Sequence, residues 1–342
     1  MKFLKRFAAL LLAAALVCAT LPAAADETEK IKAGDVVCFG TPDEKCGFDG
    51  KWLVLDESHT NTGADGLFLL SLNLIGGEDG STLLFRDIGD VSVSFSDRGE
   101  AFAAEHPGAT DYRGSDIQAW CETFLSAHFT EAEQAALLAT EKSDDAIVIP
   151  GFSIPLPGAA NGTVDFDPAE NVLWGDKLFI PSVEELTSEA YGFTDNRARV
   201  AQYRGTDAGY WLRSPHIPTF PLDVGFVFPF GAVMDYPVNA KSMFDMTTYA
   251  RPACNLDAAA ITGLEKLSEE NGVTVWRITV RGDEPNTRSY DPSLPVIGEV
   301  MDLGTAFRTV VFVTLGVIVL LAALIVFFIV QAVRKRRKKN TK

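Results

Sequence analysis

Two apolar segments at opposite ends of the chain limit what it can fold into more than any other feature. The first covers residues 7–17 and follows the basic residues Lys2, Lys5 and Arg6. Its 11 residues are too few to span a bilayer, which takes about 20. A basic start, a short apolar run and a small-residue stretch are typical of a cleavable signal peptide, and we expect cleavage after Ala25.

The second apolar segment, residues 310–330, is 21 residues long and contains no charge. A helix of this length covers about 30 Å, the thickness of the hydrocarbon core. The basic cluster Arg334–Lys339 follows at once. Because positive residues stay on the cytoplasmic side, the pattern predicts a single-pass protein of the cell membrane. Its N-terminal part is expected outside the cell and its C-terminus in the cytoplasm.

The charge distribution separates the ends from the middle of the chain. Three of the 30 basic residues precede residue 26 and seven follow residue 308, whereas all 46 acidic residues lie between them. The expected external part therefore has a net charge of about −26. Such a surface repels phosphates, so we expect no nucleic-acid partner.

The middle of the chain reads as short strands with a few helices. Capping residues at Ser115, Thr130 and Ser182 predict the starts of three helices. Strands are predicted at 36–39, 52–56, 67–71, 82–85, 91–95, 177–180, 210–213, 224–228 and 249–254. Since strands and helices do not alternate, the predicted fold class is α+β: one extracellular domain of short strands with about three helices, plus one transmembrane helix.

The predicted organisation ends in a hairpin and a stalk. Asn271-Gly272 is a strong type I′ turn signal between two alternating segments. The expected order is a signal peptide at 1–25, a loose segment at 26–35, the extracellular domain at 36–256, a hairpin appendage at 257–281, a stalk at 282–309, the transmembrane helix at 310–330 and a basic tail at 331–342.

Four cysteines remain after the expected cleavage, an even number that suggests disulfides in an exported chain. Cys38 ends a predicted strand and Cys46 lies in the turn that follows, so a Cys38–Cys46 bond can close a short loop. Three connectivities remain open, as do free buried thiols.

Several motifs occur in an order that resembles one bacterial family. They are Trp52–Asp56, Leu67–Ser71, Ser115–Trp120, Asp176–Glu185, and Trp211–Pro215 followed by Arg251–Ala253. Over residues 36–256 the chain is similar to the domain-of-unknown-function family numbered 6273, found in secreted and surface proteins of Gram-positive anaerobes. The family in turn resembles the C-type-lectin-like fold of formylglycine-generating enzymes. Their catalytic cysteine pair has no counterpart here, so the resemblance implies no such activity.

The resemblance also bears on the second pair of cysteines. Cys121 and Cys254 stand where the family commonly has aliphatic residues, and both are expected to face inward. Two such departures in one chain imply a Cys121–Cys254 disulfide.

Trp211, Arg213 and Arg251 are the candidate ligand-binding residues. Two arginines can clamp an anionic group while the indole stacks on the ligand. The alternative is a buried arginine–carboxylate pair with the indole in the core. The sequence leaves both interpretations open.

Metal and catalytic signals are weak. Asp165, Asp167, Glu170 and Asn171 offer hard oxygens for calcium, although the absence of EF-hand spacing favours a solvated acidic loop. The four histidines are scattered, so we expect no transition-metal site and no other cofactor. No catalytic motif is present.

The sequence therefore favours a membrane-anchored ligand-binding or adhesion module of a bacterial cell surface, with a glycan or peptide as ligand. The alternatives are an extracellular enzyme that acts on a wall or host polymer and a structural envelope protein.

Overall fold

The computed structural model describes residues 30–88, 105–145, 147–150, 163–166, 172–217, 223–238, 247–283 and 285–296. The strands are β1 (Val36–Cys38), β2 (Lys51–Asp56), β3 (Leu67–Ser71), β4 (Thr140–Lys142), β5 (Ile147–Pro150), β6 (Thr163–Phe166), β7 (Leu173–Asp176), β8 (Leu178–Phe179), β9 (Ala201–Tyr203), β10 (Thr206–Ile217), β11 (Asp223–Val227), β12 (Val233–Pro237), β13 (Thr248–Tyr249), β14 (Ala253–Leu256), β15 (Ile261–Glu270) and β16 (Val273–Val280). The α-helices are α1 (Asp116–His128), α2 (Glu131–Ala136), α3 (Val183–Thr187) and α4 (Asn196–Arg199).

Seven strands form the first sheet, in the order β15-β16-β1-β2-β3-β14-β8. β1 and β16 pair in parallel, with Val37 opposite Trp276, and the other neighbours are antiparallel. β1 is buried on both faces: Val37 joins the main core, whereas Cys38 packs in a smaller cluster with Tyr290. A strand covered on both sides needs continuous apolar sequence, which explains the uninterrupted Val-Val-Cys run.

The second sheet is built around the 12-residue strand β10. The order is β12-β11-β10-β6-β5, and β9 and β13 pair with other parts of β10. A two-stranded sheet of β4 and β7 lies apart from both. β10 therefore connects most of the second sheet, and it positions Trp211 and Arg213.

The three predicted helix starts are confirmed. The Ser115 hydroxyl accepts the Gln118 amide at the start of α1. Complete capping boxes begin α2, at Thr130 and Glu133, and α3, at Ser182 and Glu185. Each box satisfies two backbone donors that a helix start leaves unpaired, which makes this signal readable from local sequence.

The predicted fold class is wrong in its proportion of strands to helices and in its transmembrane helix. The described part of the chain is mostly β, with sixteen strands and four α-helices instead of about three. Strand pairing between distant segments, which local patterns do not reveal, accounts for the excess of strands. None of the described helices is long and apolar enough to cross a membrane. The predicted spanning segment 310–330 and the signal peptide 1–25 lie outside the described residues.

The terminal hairpin has the predicted turn, since Asn271 and Gly272 adopt φ of 54° and 83°. It is part of the domain and not an appendage, because β16 pairs with β1 in the first sheet. The described part of the predicted stalk also packs on the domain. The Tyr290 hydroxyl donates to the Gly40 carbonyl at 2.9 Å.

Neither predicted disulfide is present among the described residues, because all four cysteines are free and buried. Cys38 packs in the small cluster and Cys46 in the main core, so the two thiols lie in separate apolar environments. Cys121 and Cys254 are fully buried in the main core. Burial raises the pKa of both thiols, and each packs as a small apolar side chain.

Candidate functional site

Arg213 is fully buried and meets two carboxylates. Its Nη1 and Nη2 donate to the two carboxylate oxygens of Glu185 at 2.8 and 2.9 Å. Nη2 also donates to Asp144 at 3.1 Å. Paired N–H donors on one carboxylate are the strongest geometry an arginine makes, so the guanidinium is fixed within the protein.

Further hydrogen bonds and charges surround this ion pair, although Arg213 Nε is buried without a hydrogen-bond partner among the described residues. Glu185 accepts the Asn61 amide at 2.7 Å in addition to its capping bond. Lys142 contacts Asp144 as a second cation. Burial opposes ionisation of Asp144, but the charges of Arg213 and Lys142 outweigh it and lower the pKa of this carboxyl below its usual range.

Trp211 and Arg251 are turned inward as well. The Trp211 indole N–H donates to the Leu83 carbonyl at 2.8 Å. Arg251 donates to the Ser71 carbonyl at 3.0 Å, and its guanidinium lies 5.5 Å from the Tyr210 ring centre. The structure therefore corresponds to the second of the two sequence interpretations, in which these residues hold the core together.

The proposed calcium ligands cannot be placed together. Asp165 lies on β6, and Asp167, Glu170 and Asn171 lie outside the described residues. The calcium site stays a prediction.

Trp174, which the sequence analysis did not select, is the exposed aromatic side chain of this domain. It is 65% exposed and the one aromatic residue among the large exposed apolar side chains of the described chain. The guanidinium carbon of Arg113 lies 5.4 Å from the centre of the Trp174 ring. An indole stacked by a cation and open to solvent differs from the buried rings of the core.

The backbone below Trp174 is held in place. One carboxylate oxygen of Asp176 accepts the Trp174 amide at 2.8 Å, and the other accepts the Gln118 side chain at 2.8 Å. Gln118 in turn accepts the Gly114 amide at 2.7 Å. These bonds join the backbone of β7 at Trp174 to the start of α1, next to Arg113.

A carboxyl pair lies on the hairpin of β11 and β12. Burial, together with the nearby charge of Asp235 and a hydrogen bond to it, raises the pKa of Asp223 to about 8. Two carboxyl groups that share a proton can act in acid–base chemistry. The pair is therefore the strongest catalytic candidate among the described residues.

The fold and these surfaces define a sheet-rich domain whose described residues include one strongly exposed aromatic side chain, Trp174. A family model, described as a domain of unknown function (DUF6273), matches residues 79–258. The chain belongs to this family. The Trp211–Pro215 and Arg251–Ala253 motifs lie within the match, whereas Trp52–Asp56 and Leu67–Ser71 precede it. No curated protein and no solved structure matches the chain.

Proposed function

We propose that this domain is a non-catalytic binding module that takes a neutral glycan on the surface formed by Trp174 and Arg113. The observation that supports the proposal is the 65% exposure of an indole whose backbone is fixed by Asp176. Keeping a large apolar ring in water costs free energy, so such rings mark interaction sites when they are held rigidly.

The chemistry of this surface suits a sugar ring. An indole offers a flat apolar face for the C–H groups of a pyranose, and tryptophan and arginine are the residues enriched at binding hot spots. Arg113 adds donors for hydroxyl groups beside the ring. The acidic charge between residues 26 and 308 repels polyanions, which favours a neutral polymer.

A second candidate function, hydrolysis of a polymer, is favoured by the Asp223–Asp235 pair. One of these carboxyls holds a proton near neutral pH and can serve as a general acid. The two proposals use different surfaces, since Trp174 lies on the separate sheet of β4 and β7. The expected cell-surface location and C-type-lectin-like relationship stay predictions.

The test measures binding of the full chain to immobilised neutral polysaccharides. Trp174→Ala should weaken retention at least about tenfold, the loss of a hot spot of 1.4 kcal/mol or more. Leu264→Ala is the matched control, because Leu264 is also exposed but lies on β15 of the first sheet, whereas Trp174 lies on the β4–β7 sheet. Its affinity should equal that of the unchanged protein.

Three results would contradict the proposal. They are no binding of the unchanged protein to any neutral glycan, equal affinity of Trp174→Ala, and an equal loss in Leu264→Ala. Release of reducing sugar that Asp223→Asn abolishes would support the hydrolase instead.

A further inference from the structure

The turn between β1 and β2 meets the end of α1 at a group of three potential metal ligands. Asp43, Cys46 and His128 each offer one ligand atom, and these atoms lie within 4.8 Å of one another. The scattered histidines of the sequence predicted no transition-metal site, and Asp43 and Cys46 are far from His128 along the chain. Only the fold brings an oxygen, a sulfur and an imidazole nitrogen together.

Several hydrogen bonds hold the backbone around these residues in place. Asp43 and Phe48 exchange two backbone hydrogen bonds, of 2.8 and 3.0 Å. The Thr41 amide donates to the His128 carbonyl at 2.7 Å, which joins the turn to the last residue of α1. The Gly76 amide donates to the Cys46 carbonyl at 2.8 Å. Hydrogen bonds therefore hold the backbone of all three residues in place without a bound ion.

The side chains themselves have atoms available for coordination. The imidazole of His128 packs against Phe124 and Phe48, at 4.4 and 5.8 Å between ring centres. Neither of its nitrogens hydrogen-bonds to a described residue. One carboxylate oxygen of Asp43 accepts the Lys45 amide, whereas the other has no partner among the residues that the structure describes.

Two of the three residues are partly exposed to solvent. Cys46 is 1% exposed, whereas Asp43 and His128 are half-buried at the surface. The Cys46 thiol donates to the Asp43 carbonyl at 3.4 Å, and metal binding would replace this hydrogen bond.

The size of the group fits a small tetrahedral ion. Zinc binds sulfur at about 2.3 Å and nitrogen or oxygen at about 2.0–2.2 Å, which places neighbouring ligand atoms about 3.5 Å apart. The three ligand atoms lie within 4.8 Å of one another, so the bound ion would draw them closer together. A mixed sulfur, nitrogen and oxygen set favours Zn²⁺ over Ca²⁺, which takes six to eight oxygens.

We propose that Asp43, Cys46 and His128 form a Zn²⁺ site with three protein ligands. The fourth tetrahedral position is open to water or to an external ligand, as in zinc sites that are not purely structural. The proposal is independent of the glycan surface, since Trp174 and Arg113 take no part in it.

In the test, the metal-free full chain is titrated first with Co²⁺ and then with Zn²⁺. A phosphine keeps the thiols reduced. We expect one Co²⁺ per chain, with a thiolate-to-cobalt charge-transfer band and the intense visible bands of tetrahedral cobalt. Zn²⁺ should displace the cobalt stoichiometrically, and Ca²⁺ should not.

Two matched pairs of variants locate the site. Cys46→Ala should abolish the charge-transfer band, whereas Cys254→Ala, another buried thiol, should keep it. His128→Gln should weaken Zn²⁺ binding at least about tenfold, whereas His59→Gln should leave it unchanged. If circular dichroism shows that Cys46→Ala does not fold, His128→Gln and Asp43→Asn decide the question, because both residues are partly exposed.

The proposal is overturned if stoichiometric Co²⁺ gives no thiolate band with the unchanged protein. It is equally overturned if folded His128→Gln and Asp43→Asn bind Zn²⁺ as tightly as that protein does.

Discussion

Arg213 shows what a single buried charge does in this fold. It lies on β10, and its guanidinium also donates to the Ile180 carbonyl at 2.9 Å. Through Glu185 and Asp144 it connects the second sheet to α3 and to the segment after β4. Desolvation of such a group is costly, and the bonds of Nη1 and Nη2 to Ile180, Glu185 and Asp144 offset that cost.

Removal of Arg213 alone should therefore be severe. Arg213→Met leaves Asp144 and Glu185 buried without their main cation, and we expect the free energy of unfolding to fall by about 3–5 kcal/mol. Urea denaturation measures this. Arg281→Met is the control, because Arg281 is exposed and donates only to the Ala259 carbonyl; its effect should stay within about 0.5 kcal/mol. Equal effects of both variants would contradict a buried charge network.

At the residue scale the sequence indicated part of this site. An arginine that follows Trp211 and Leu212 in a strand predicts either a ligand clamp or a buried ion pair, and the structure has the ion pair. The partners Glu185 and Asp144 could not be predicted, because tertiary packing selects them. The exposure of Trp174 was hidden too, since Leu-Trp-Gly-Asp has no pattern that separates a surface ring from a core ring.

Two carboxyl groups lie close together on the β11–β12 hairpin, which is unusual for neighbouring strands. Asp223 and Asp235 lie on adjacent antiparallel strands, and Asp235 is opposite Gly225. Like charges on neighbouring strands are destabilising. Burial, the nearby charge of Asp235 and a hydrogen bond to it favour the protonated form, so the pKa of Asp223 is raised to about 8.

This pair predicts how stability depends on pH. The folded protein keeps a proton on Asp223 that the unfolded chain releases near its ordinary pKa of 3.8. The stabilising contribution is complete below that value and is lost as the pH rises towards about 8. The free energy of unfolding should therefore decrease from about pH 5 to about pH 8. Asp144 does not contribute to this decrease. Its pKa is lowered in the folded protein, so its effect on the free energy of unfolding falls in more acidic solution.

Asp223→Asn should flatten that decrease, and urea titrations at several pH values measure it. Asp65→Asn, a substitution of an exposed carboxylate, should keep the slope of the unchanged protein. An unaltered slope in Asp223→Asn would show that another group is responsible.

Elements with local signals were predictable, and those that depend on distant pairing were not. Capping boxes and the Asn-Gly turn are complete within a few residues of sequence. The predicted strand 82–85 is not a strand, because the Leu83 carbonyl accepts the Trp211 indole and the Thr248 hydroxyl instead of a ladder partner. β10 is three times longer than predicted, since several strands pair along it in turn.

The chain after β16 packs against residues of both seven-stranded sheets. Lys51 donates to the Ser293 carbonyl at 2.7 Å, and Gln202 donates to the Val296 carbonyl at 3.2 Å. Tyr290 covers the small cluster that contains Cys38. Residues 285–296 are thus a structural strap across the domain.

Tyr290 provides a test of this strap. Tyr290→Ala should lower the free energy of unfolding by about 3–5 kcal/mol through lost packing, and Tyr290→Phe by about 1 kcal/mol through the lost bond to Gly40. Val296→Ala is the control, since Val296 is 85% exposed. Denaturation with guanidinium gives the values. No loss in Tyr290→Ala would mean that the segment is a detached stalk, as the sequence suggested.

The parallel pairing of β1 with β16 has a consequence for the order of events during synthesis. Val36 finds its partner Val275 only after nearly the whole domain has left the ribosome. Until then β1 has one edge without a neighbour, and the apolar surface around it is available to chaperones or to other chains. Contacts between such distant segments also slow folding. A nascent chain of this protein thus stays incompletely folded until β16 has been synthesised. Until then it is accessible to export and to proteolysis.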